Sequence, residues 1–534
     1  MDPAKKSSDD TRASMAKEGQ IEQVENFDLK TSFATGHLAD SIEETNTGKF
    51  VWLIGLTASI GGMLFGYDTG IISGALVYIH DDLGHNLSSN EKELITALCS
   101  GGGFFGAIFA GLSADNYGRK TALYGACVLF TVGAIIQGAA YSIAQMAVGR
   151  VIVGFGVGSA AMIVPLYLAE IAPAKYRGRM IGFNNTSITG GQVISYAIGA
   201  AFAYVPNGWR YMVGLGGLPS VILACLLPFC PESPRQLAAH GKFDEARGVI
   251  ARIYKNATPE MVDAKLETIK AALDQDNEIS KGKRWKAIKK MHTHGPSFRA
   301  LVCACGLMVL SQMSGFNTLM YYSGTLFNLV GFSNPVAVGL VVSGTNLVMT
   351  WINAFLVDPF GRRRLLIYTV WGMSAGLVAV AVAFSYIPVD LESLELKETG
   401  GGPSTPAIVM LVFILWFCVF YGLSVGNIAW MSVDFFQMDI RAMGSMWMTC
   451  CNWGPNVIVS STFLTMMKRL TPSGAFGFYA CIVFTGWLLI IFFYPDVSGM
   501  TLEEVSHVFE HGFGVKHSRE LQKARKLAKA GIRD

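Results

Sequence analysis

The stretch "GLSADNYGRK", residues 111–120, places an aspartate and two basic residues directly after a long apolar run. The arrangement returns in the second half of the chain as "FLVDPFGRRR", residues 355–364, again after an apolar run. A proline next to an acidic residue follows the last apolar run of each half, in "PESPR" (231–235) and in "YPDVSG" (494–499). Motifs that repeat in the same order predict two halves built on one plan.

The composition is typical of a membrane protein. Of 534 residues, 51% are hydrophobic and 15% are charged, whereas about 25% charged residues is usual for a soluble chain. Twelve apolar runs reach the length of about 20 residues that a bilayer requires. We number these predicted spans 1 to 12: 50–79, 92–114, 120–140, 143–171, 178–203, 210–230, 298–327, 335–357, 364–387, 406–433, 442–467 and 474–494. The predicted fold is an all-α membrane protein with twelve transmembrane helices in two pseudo-symmetric six-helix bundles.

Basic residues predict the orientation of the spans. They cluster in the short loops after spans 2, 4 and 8 and are missing from the loop after span 1, so both termini and the central linker are predicted to be cytosolic. The predicted units are a disordered cytosolic tail (1–48), a first bundle (49–230), a cytosolic helical linker (231–297), a second bundle (298–494) and a cytosolic tail (495–534). We expect a multi-pass protein of the plasma membrane. An Asn-x-Ser sequon at 86–88 lies in the first outer loop, where glycosylation is possible.

Several classes of function are disfavoured. A net charge of +3 is too small to indicate a nucleic-acid partner. The ten cysteines form no CxxC pattern and have no histidine beside them, so no metal site is predicted. The spans contain no cluster of nucleophile and base, so we predict neither an enzyme nor a cofactor. The expected partners are the lipid bilayer and a small solute, and the expected state is a monomer.

Asp68 is the only charged residue between positions 50 and 79. A carboxylate at the bilayer centre costs at least roughly 2.5 kcal/mol, so it usually has a function and a partner. Arg150 is the only basic residue well inside a span, and it lies about 10 Å from the outer end of span 4, against about 16 Å for Asp68 in span 1. Because all histidines lie outside the spans, proton transfer there would depend on carboxylates. The pair is either a proton site or a static ion pair that holds two helices together.

Polar and aromatic residues within the spans suit a polyol or a sugar, whose hydroxyls need amides and whose carbon face needs rings. Asn185, Thr189 and Gln192 form one helical stripe on span 5, and Gly315 permits unwinding of span 7. For any single amide, helix–helix hydrogen bonding is the alternative. The predicted substrate-site residues are Phe65, Asn185, Thr189, Gln192, Gln312, Asn317, Tyr321, Tyr322, Asn346, Trp430, Asn452 and Trp453.

Four motifs in order resemble the sugar porter family of the major facilitator superfamily over roughly residues 50 to 512. They are GxxxDxxGRK after span 2, "GR" (149–150) in span 4, "PESPR" after span 6 and DxxGRRR after span 8. Within that family, four further stretches resemble the fungal proton-coupled myo-inositol transporters. These stretches are "TGGQ" (189–192), "SGFNTLMYYSGTLF" (314–327), "AVGLVVSGTN" (337–346) and "NWGPNVIVSSTFLTMM" (452–467).

The resemblance implies a symporter that imports myo-inositol or a related polyol with a proton by alternating access. It implies that Asp68 and Arg150 couple the proton and that the polar residues of the spans match the family's substrate positions. It also implies a cytosolic gate of ion pairs between the bundles, which break when the inner side opens. For Asp115 or Asp358 alone, helix capping is the alternative. The predicted gate residues are Asp115, Arg119, Glu170, Arg177, Glu232, Arg235, Asp358, Arg362, Asp434 and Arg441.

Departures from the family pattern leave the substrate open. Ser311 stands where a first glutamine of span 7 is common, and Asn185 stands where the hexose carriers have glutamine. After span 10, Ala429 and "DFFQ" (434–437) replace the usual proline-containing motifs. A hexose or pentose transporter, either symporter or uniporter, is therefore an alternative. A nutrient receptor that signals without transport is a second alternative, although the short C-terminal tail favours a carrier.

Overall fold

The computed structural model describes residues 42, 48–280, 289, 291–390, 395–396, 403–436, 440–497, 500 and 502–529. Helices make up nearly all of this part of the chain, which confirms the predicted all-α class. Spans 1 to 5 are single helices: Lys49–Tyr78, Ser89–Tyr117, Arg119–Gly138, Ile143–Ile171 and Ala174–Ala201. Spans 8, 9, 11 and 12 are also single helices: Pro335–Phe360, Arg362–Ser385, Arg441–Arg469 and Thr471–Phe493. Their ends agree with the predicted ends to within about one helical turn.

Spans 6, 7 and 10 are interrupted helices. Span 6 consists of Gly208–Gly214, Gly217–Leu226 and the 3₁₀ turn Leu227–Phe229. Span 7 consists of Gly295–Met313 and Phe316–Leu329, and span 10 of Thr405–Leu423, Val425–Met431 and the 3₁₀ turn Ser432–Phe435. Gly315, at the interruption of span 7, has a φ of 85°, which glycine adopts at little cost. The predicted unwinding of span 7 is thus confirmed, whereas the interruptions of spans 6 and 10 were not predicted.

Two spans are much more polar than the others. Among the described residues, ten helical segments are long and apolar enough to cross a membrane, counting each interrupted span once. Spans 5 and 11 do not meet that criterion, because amides, hydroxyls and glycines occupy much of their length. Span 5 packs between spans 1 and 8, and span 11 packs against spans 2 and 7. The polar helices therefore lie inside the bundle, where neighbouring helices shield them from lipid.

Glycine allows spans 1 and 5 to cross closely. A Cβ added to Gly66 would lie 1.8 Å from the carbonyl oxygen of Ile188, so no larger residue fits there. Gly191 meets span 1 in the same way, with the carbonyl oxygen of Met63 2.5 Å from an added Cβ. This close crossing brings the middle of span 1, which carries Asp68, next to the polar stripe of span 5.

The parts outside the spans are mostly helical. The linker contains the helices Pro234–Ala239, Phe243–Ile253 and Pro259–Ser280, which pack on one another and share an apolar core with the first half. The C-terminal tail contains Leu502–Glu510, which packs against the inner segment of span 7, and Val515–Lys529. A short antiparallel ladder between spans 9 and 10, Val389–Asp390 with Glu395–Leu396, was not predicted.

The predicted N-terminal tail lies outside the described residues, apart from positions 42 and 48. Ile42 is helical and fully buried in the core that the linker shares with the first half. The predicted disorder of this tail stays a prediction.

Hydrogen bonds join the two halves on one side, which we call the outer side because span 1 ends there. Glu93 of span 2 accepts hydrogen bonds from the backbone N–H of Thr465 in span 11 (2.8 Å) and from its hydroxyl (2.6 Å). Ser73 of span 1 contacts Ser323 of span 7 at 2.9 Å. The hydroxyl of Tyr196 in span 5 donates to the carbonyl oxygen of Met320 at 2.5 Å. The outer side is therefore closed in this conformation.

Candidate functional site

A cavity with an empty volume of about 550 Å³ lies between the two halves, inward of these contacts. Nine predicted substrate residues line it: Phe65, Asn185, Thr189, Gln192, Gln312, Asn317, Asn346, Trp430 and Asn452. Residues from six different spans therefore converge on one polar space.

The stripe of span 5 reaches the cavity because its members recur at helical spacing. The side-chain oxygen of Gln192 accepts a hydrogen bond from the Asn346 amide of span 8 at 3.3 Å, which links the two halves at the depth of the cavity. The Thr189 hydroxyl donates to backbone carbonyls of its own helix, with the oxygen of Thr186 at 3.1 Å. The lone pairs of that hydroxyl can still accept a hydrogen bond from a solute.

Gln312 is the centre of an amide network at the interruption of span 7. Its Oε1 accepts hydrogen bonds from Asn317 and, at 3.1 Å, from Asn456, while its Nε2 donates to the Oδ1 of Asn452. The Nδ2 of Asn452 is buried and has no hydrogen-bond partner in the described part of the chain. An unpaired buried donor is costly, so this nitrogen is a candidate donor to a solute hydroxyl.

Sequence reasoning missed several residues of the lining: Ile188, Phe316, Thr350, Tyr421, Gly426 and Asn427. Helical spacing could have predicted two of them. Thr350 lies one helical turn after Asn346, and Asn427 lies nearly one turn before Trp430. Ser311, noted above as a departure, also lines the cavity, and its hydroxyl lies 3.2 Å from that of Tyr421. No local signal in the sequence indicates that contact, because it joins spans 7 and 10.

Aromatic rings cover one part of the cavity. The rings of Phe316 and Tyr421 stack nearly parallel, with centroids 3.8 Å apart and an interplanar angle of 8°. Phe65 and Trp430 contribute two further rings to the lining. The site thus combines hydrogen-bonding groups with flat apolar surfaces, as the recognition of a polyol or sugar requires.

Three predicted substrate residues do not line the cavity. The Tyr321 hydroxyl donates to Asn456 Oδ1 at 3.1 Å, and the Tyr322 hydroxyl donates to the carbonyl oxygen of Ser460 at 2.5 Å. Trp453 is buried, with its ring packed 5.1 Å from that of Phe65. In this conformation these side chains hold spans 1, 7 and 11 together instead of facing the cavity.

The structure joins Asp68 to Arg150. The Nη1 of Arg150 lies 2.6 Å from Asp68 Oδ1, and its Nε donates to the carbonyl oxygen of Ile95 at 3.2 Å. The thiol of Cys99 donates to the second oxygen, Asp68 Oδ2, at 3.0 Å. Arg150 is fully buried, and its Nη2 has no partner among the described residues. Sequence reasoning found the pair but missed Cys99, because the contact joins two different helices.

The Asp68–Arg150 pair lies apart from the amide-lined cavity. Asp68 lines a separate, smaller cavity of about 210 Å³ of empty volume between spans 1, 3, 4 and 6, together with Gln137 and Tyr67. Neither Asp68 nor Arg150 belongs to the lining of the larger cavity. Any effect of this pair on a solute must therefore pass through other residues.

Two ion pairs at the inner ends of the helices join residues of the same half. Arg119 and Glu170 lie 2.9 Å apart in the first half, and Arg362 and Asp434 lie 2.8 Å apart in the second. Glu232 accepts the backbone N–H groups of Arg119 and Lys120, and Arg235 is exposed. The side chains of four predicted gate residues lie outside the described part of the chain: Asp115, Arg177, Asp358 and Arg441.

The predicted ion pairs between bundles stay a prediction, because four of the gate side chains lie outside the described part of the chain. The two ion pairs given above join residues of one half. The hydrogen bonds between halves lie instead on the outer side or at the depth of the cavity. The contacts on the outer side are those that we expect for a conformation that is closed there.

Comparison with known proteins identifies the family. The family model "Sugar (and other) transporter" matches residues 54–509. The chain belongs to this family. The transporter is 43% identical to Myo-inositol transporter 1 of Cryptococcus neoformans over 491 residues, which is 92% of this chain and 86% of that protein. It is 40% identical to Myo-inositol transporter 1 of Saccharomyces cerevisiae, over 91% of this chain and 83% of that protein.

Solved structures show the same fold. The proton:xylose symporter XylE bound to 6-bromo-6-deoxy-D-glucose matches with a TM-score of 0.71 and 26% identity, over 86% of the transporter and 99% of that chain. An inward-open conformation of the xylose transporter XylE from E. coli matches with a TM-score of 0.69 over the same shares of the two chains. The resemblance to the major facilitator superfamily is confirmed, and so is the two-bundle fold. The transporter is a multi-pass membrane protein with a small sugar or polyol as substrate, and it is not an enzyme.

Proposed function

We propose that the transporter is a symporter that imports myo-inositol or a related polyol together with a proton. The observation that carries this proposal is the amide-lined cavity between two halves that are joined on their outer side. Two fungal relatives of at least 40% identity are named myo-inositol transporters, which supports the choice of substrate.

Myo-inositol is a ring of six hydroxyls with no ring oxygen and no hydroxymethyl arm. Its recognition needs hydrogen-bonding groups around the ring and aromatic surface against the carbon faces. The cavity offers amides from spans 5, 7, 8, 10 and 11 and the stacked rings of Phe316 and Tyr421. We assign direct substrate contact to the predicted residues that line this cavity, and we assign a positioning role to Tyr321, Tyr322 and Trp453.

The buried Asp68–Arg150 pair is the proposed proton site. As a carboxylate, Asp68 accepts hydrogen bonds from Arg150 and Cys99. A proton arriving from outside would remove its negative charge and weaken the contact with Arg150, and release of that proton would restore the pair. The structural neighbour titled as a proton:xylose symporter supports coupling to protons within this fold.

Alternating access follows from the two sets of contacts between the halves. Hydrogen bonds such as that between Glu93 and Thr465 hold the outer side closed in this conformation. In the outward-open conformation, the proposed gate residues would pair across the bundles on the inner side and the outer contacts would break. We also propose that the transporter is a plasma-membrane monomer with both termini in the cytosol, which the distribution of basic residues between loops supports.

A hexose or pentose is the second candidate substrate. Two of the matching solved structures are of the xylose transporter XylE, and Ser311 stands where a span 7 amide is common in the family. A site built around substrate hydroxyls discriminates strongly against an analogue that leaves some of its groups unpaired. Competition between solutes therefore separates the two candidates.

The test is uptake in cells that lack their own inositol and hexose carriers. We expect labelled myo-inositol to accumulate against its gradient, a protonophore to abolish the accumulation, and unlabelled myo-inositol to compete much better than D-glucose or D-xylose. Equal competition by glucose or xylose would replace the inositol assignment with a sugar. Saturable binding without uptake would indicate a receptor.

A further inference from the structure

The proposed proton site and the substrate cavity share no lining residue, although a symporter must couple them. The smaller cavity beside Asp68 lies within the first half, whereas Gln312 lines the cavity between the halves. Coupling between separate sites needs an element whose position responds to both. Residues 95–100 of span 2 contact the proton site directly and are connected to the substrate cavity through Asn456.

Residues 95–100 of span 2 are held to the proton site from one side. The carbonyl oxygen of Ile95 accepts from Arg150 Nε at 3.2 Å, and the thiol of Cys99 donates to Asp68 Oδ2 at 3.0 Å. The next residue, Ser100, donates from its hydroxyl to Asn456 Oδ1 in span 11 at 2.8 Å. Consecutive residues point in directions about 100° apart around a helix of 3.6 residues per turn. Cys99 therefore contacts the first half while Ser100 contacts the second.

Asn456 connects Ser100 to the cavity. Its Nδ2 donates to Gln312 Oε1 at 3.1 Å, and its side chain is fully buried. Pro455 precedes it within span 11. A proline inside a helix removes one backbone hydrogen bond and favours a bend, so span 11 can flex next to Asn456.

We propose that Ser100 and Asn456 are positioning residues that couple the protonation of Asp68 to the placement of Gln312 in the substrate cavity. The inference rests on the proposed proton-coupled function. Loss of the charge on Asp68 weakens its bonds to Arg150 and Cys99, and the turn at 95–100 shifts with them. The shift reaches Gln312 through the bond between Ser100 and Asn456.

Asp68 is the carboxylate of this cluster, and it contacts Arg150 and Cys99. The other titratable or charged side chains that face it are Arg150 from span 4, Cys99 from span 2, Tyr321 from span 7 and its neighbour Tyr67. Guanidinium, thiol and phenol groups ordinarily keep their protons at acidic and neutral pH. Glu93, two residues before Ile95 in span 2, is a second buried carboxylate, so the part of the affinity change that Asp68→Asn abolishes is the part that reports on Asp68.

The experiment measures the dissociation constant of myo-inositol for the full-length transporter, purified in lipid nanodiscs, at an acidic and at a neutral pH. The ratio of the two constants is the coupling between proton and solute. We expect Ser100→Ala to lower this ratio by about two- to thirtyfold, the range typical of coupling residues. Ser100→Thr keeps the hydroxyl and should leave the ratio at the wild-type value. Ser59→Ala is the matched control, because Ser59 is a buried serine of the first half whose hydroxyl bonds only its own helix, at the carbonyl oxygen of Gly55.

Asn456→Ala provides a second variant. It should lower the ratio at least as much as Ser100→Ala does, because it also removes the bonds of Asn456 to Gln312 and Tyr321. Adding Ser100→Ala to Asn456→Ala should lower the ratio no further, since the connection is already broken. A ratio that stays at the wild-type value in both single variants, or that falls equally in Ser59→Ala, overturns the inference. A wild-type transporter that binds inositol with no dependence on pH overturns the proton coupling itself, and one that binds no inositol overturns the substrate. The two failures are thus distinguishable.

Discussion

At the scale of single residues, Asp68 is paired with the buried Arg150 and lies outside the lining of the substrate cavity. Both features suit a group that exchanges protons without binding the solute. The asparagine side chain has nearly the same shape as that of aspartate, but it does not exchange a proton between acidic and neutral pH. We expect Asp68→Asn to abolish accumulation driven by a pH gradient and to preserve exchange of labelled for unlabelled myo-inositol. Proteoliposomes loaded with inositol measure both activities in one preparation. Full accumulation by the variant would contradict the proposed proton role.

Gln312 connects three asparagines at the cavity. Truncation to alanine leaves their amides, and hydroxyls of the solute, without partners. We expect Gln312→Ala to weaken myo-inositol binding by roughly 1–3 kcal/mol, which is the cost of leaving buried polar groups unpaired. Isothermal titration of the purified variant measures this change, and an unchanged affinity would remove Gln312 from the substrate site.

Tyr322→Phe tests the distinction between lining and supporting residues. The Tyr322 hydroxyl bonds the carbonyl oxygen of Ser460 and lies outside the cavity lining. We expect the variant to bind inositol with wild-type affinity and to unfold at a lower temperature, because a buried carbonyl loses its donor. Weakened binding at unchanged thermal stability would instead assign Tyr322 to the substrate site.

Residue types in the spans predicted much of the candidate site. A carboxylate in an apolar run is costly, so its presence indicated a function for Asp68. Gln192 and Gln312 were predicted because they occur with other amides at positions that match the family's substrate residues. The depth of a side chain was harder to predict. Asn317 and Tyr321 are one helical turn apart on the same face of span 7, but only Asn317 reaches the cavity. Tyr321 lies a turn closer to the outer side, where contacts between the halves enclose it.

At the scale of elements, the interruption of span 7 sets the direction of its outer segment. Gly315 has φ 85°, and an added Cβ would lie 3.0 Å from the ring of Tyr479. We expect Gly315→Ala to cost about 1–3 kcal/mol from backbone strain, with further loss if the ring cannot move. The temperature of thermal unfolding and the affinity for inositol should both fall.

Gly477→Ala is the control for this substitution. Gly477 lies in span 12, where nothing within 4 Å would meet an added Cβ. Alanine is favoured over glycine in a helix by about 1 kcal/mol, so this variant should be as stable as the parent or more so. Equal damage from both substitutions would show that the geometry at Gly315 is not special.

The sequence predicted the interruption of span 7 but not those of spans 6 and 10. Glycine in an apolar run is compatible with both a straight and a broken helix, because helices in lipid also use glycine for close packing. In span 10 the helix ends at Leu423 and restarts at Val425 around Ser424. The hydroxyl of Ser424 bonds the carbonyl oxygen of Phe420 at 2.6 Å, and nothing in the local sequence distinguishes this serine from others in the spans.

At the scale of the whole molecule, Glu93 is a buried carboxylate that joins spans 2 and 11 on the outer side. Both of its oxygens accept hydrogen bonds from Thr465. We expect Glu93→Ala to favour the outward-open conformation, because it removes both hydrogen bonds of Glu93 to Thr465 in the other half. Glu93→Gln should behave like the wild type, since its amide oxygen can still accept and its nitrogen can donate to the Thr465 hydroxyl.

A reporter cysteine measures this shift. Thr96 is fully buried one turn inward of Glu93, so a thiol at that position becomes accessible only when the outer side opens. Thr96→Cys should react faster with an impermeant maleimide in the Glu93→Ala background than in the Glu93→Gln background, after subtraction of the parent with its native cysteines. Equal rates in the two backgrounds would exclude a role of Glu93 in outer closure.

The duplicated motifs predicted the two halves, but they did not predict the conformation. Charged residues such as Arg119 and Arg362 were predicted to form contacts across the inner side, and those contacts stay a prediction. The structure describes pairs of Arg119 with Glu170 and of Arg362 with Asp434, each within one half. One sequence encodes both the open and the closed arrangement of each side. The arrangement in a given structure depends on small differences in free energy that residue patterns do not reveal.

Spans 5 and 11 are too polar to be recognised by length and composition as membrane-crossing helices, and this has a consequence for biogenesis. A nascent helix partitions from the translocon into lipid according to its apolar content, so neither helix should integrate efficiently alone. Span 5 packs against span 1, and span 11 packs against spans 2 and 7, all of which are synthesised earlier. We therefore expect each polar helix to leave the translocon against partners already in the bilayer, so that the residues that recognise the solute also fix the order of assembly during translation.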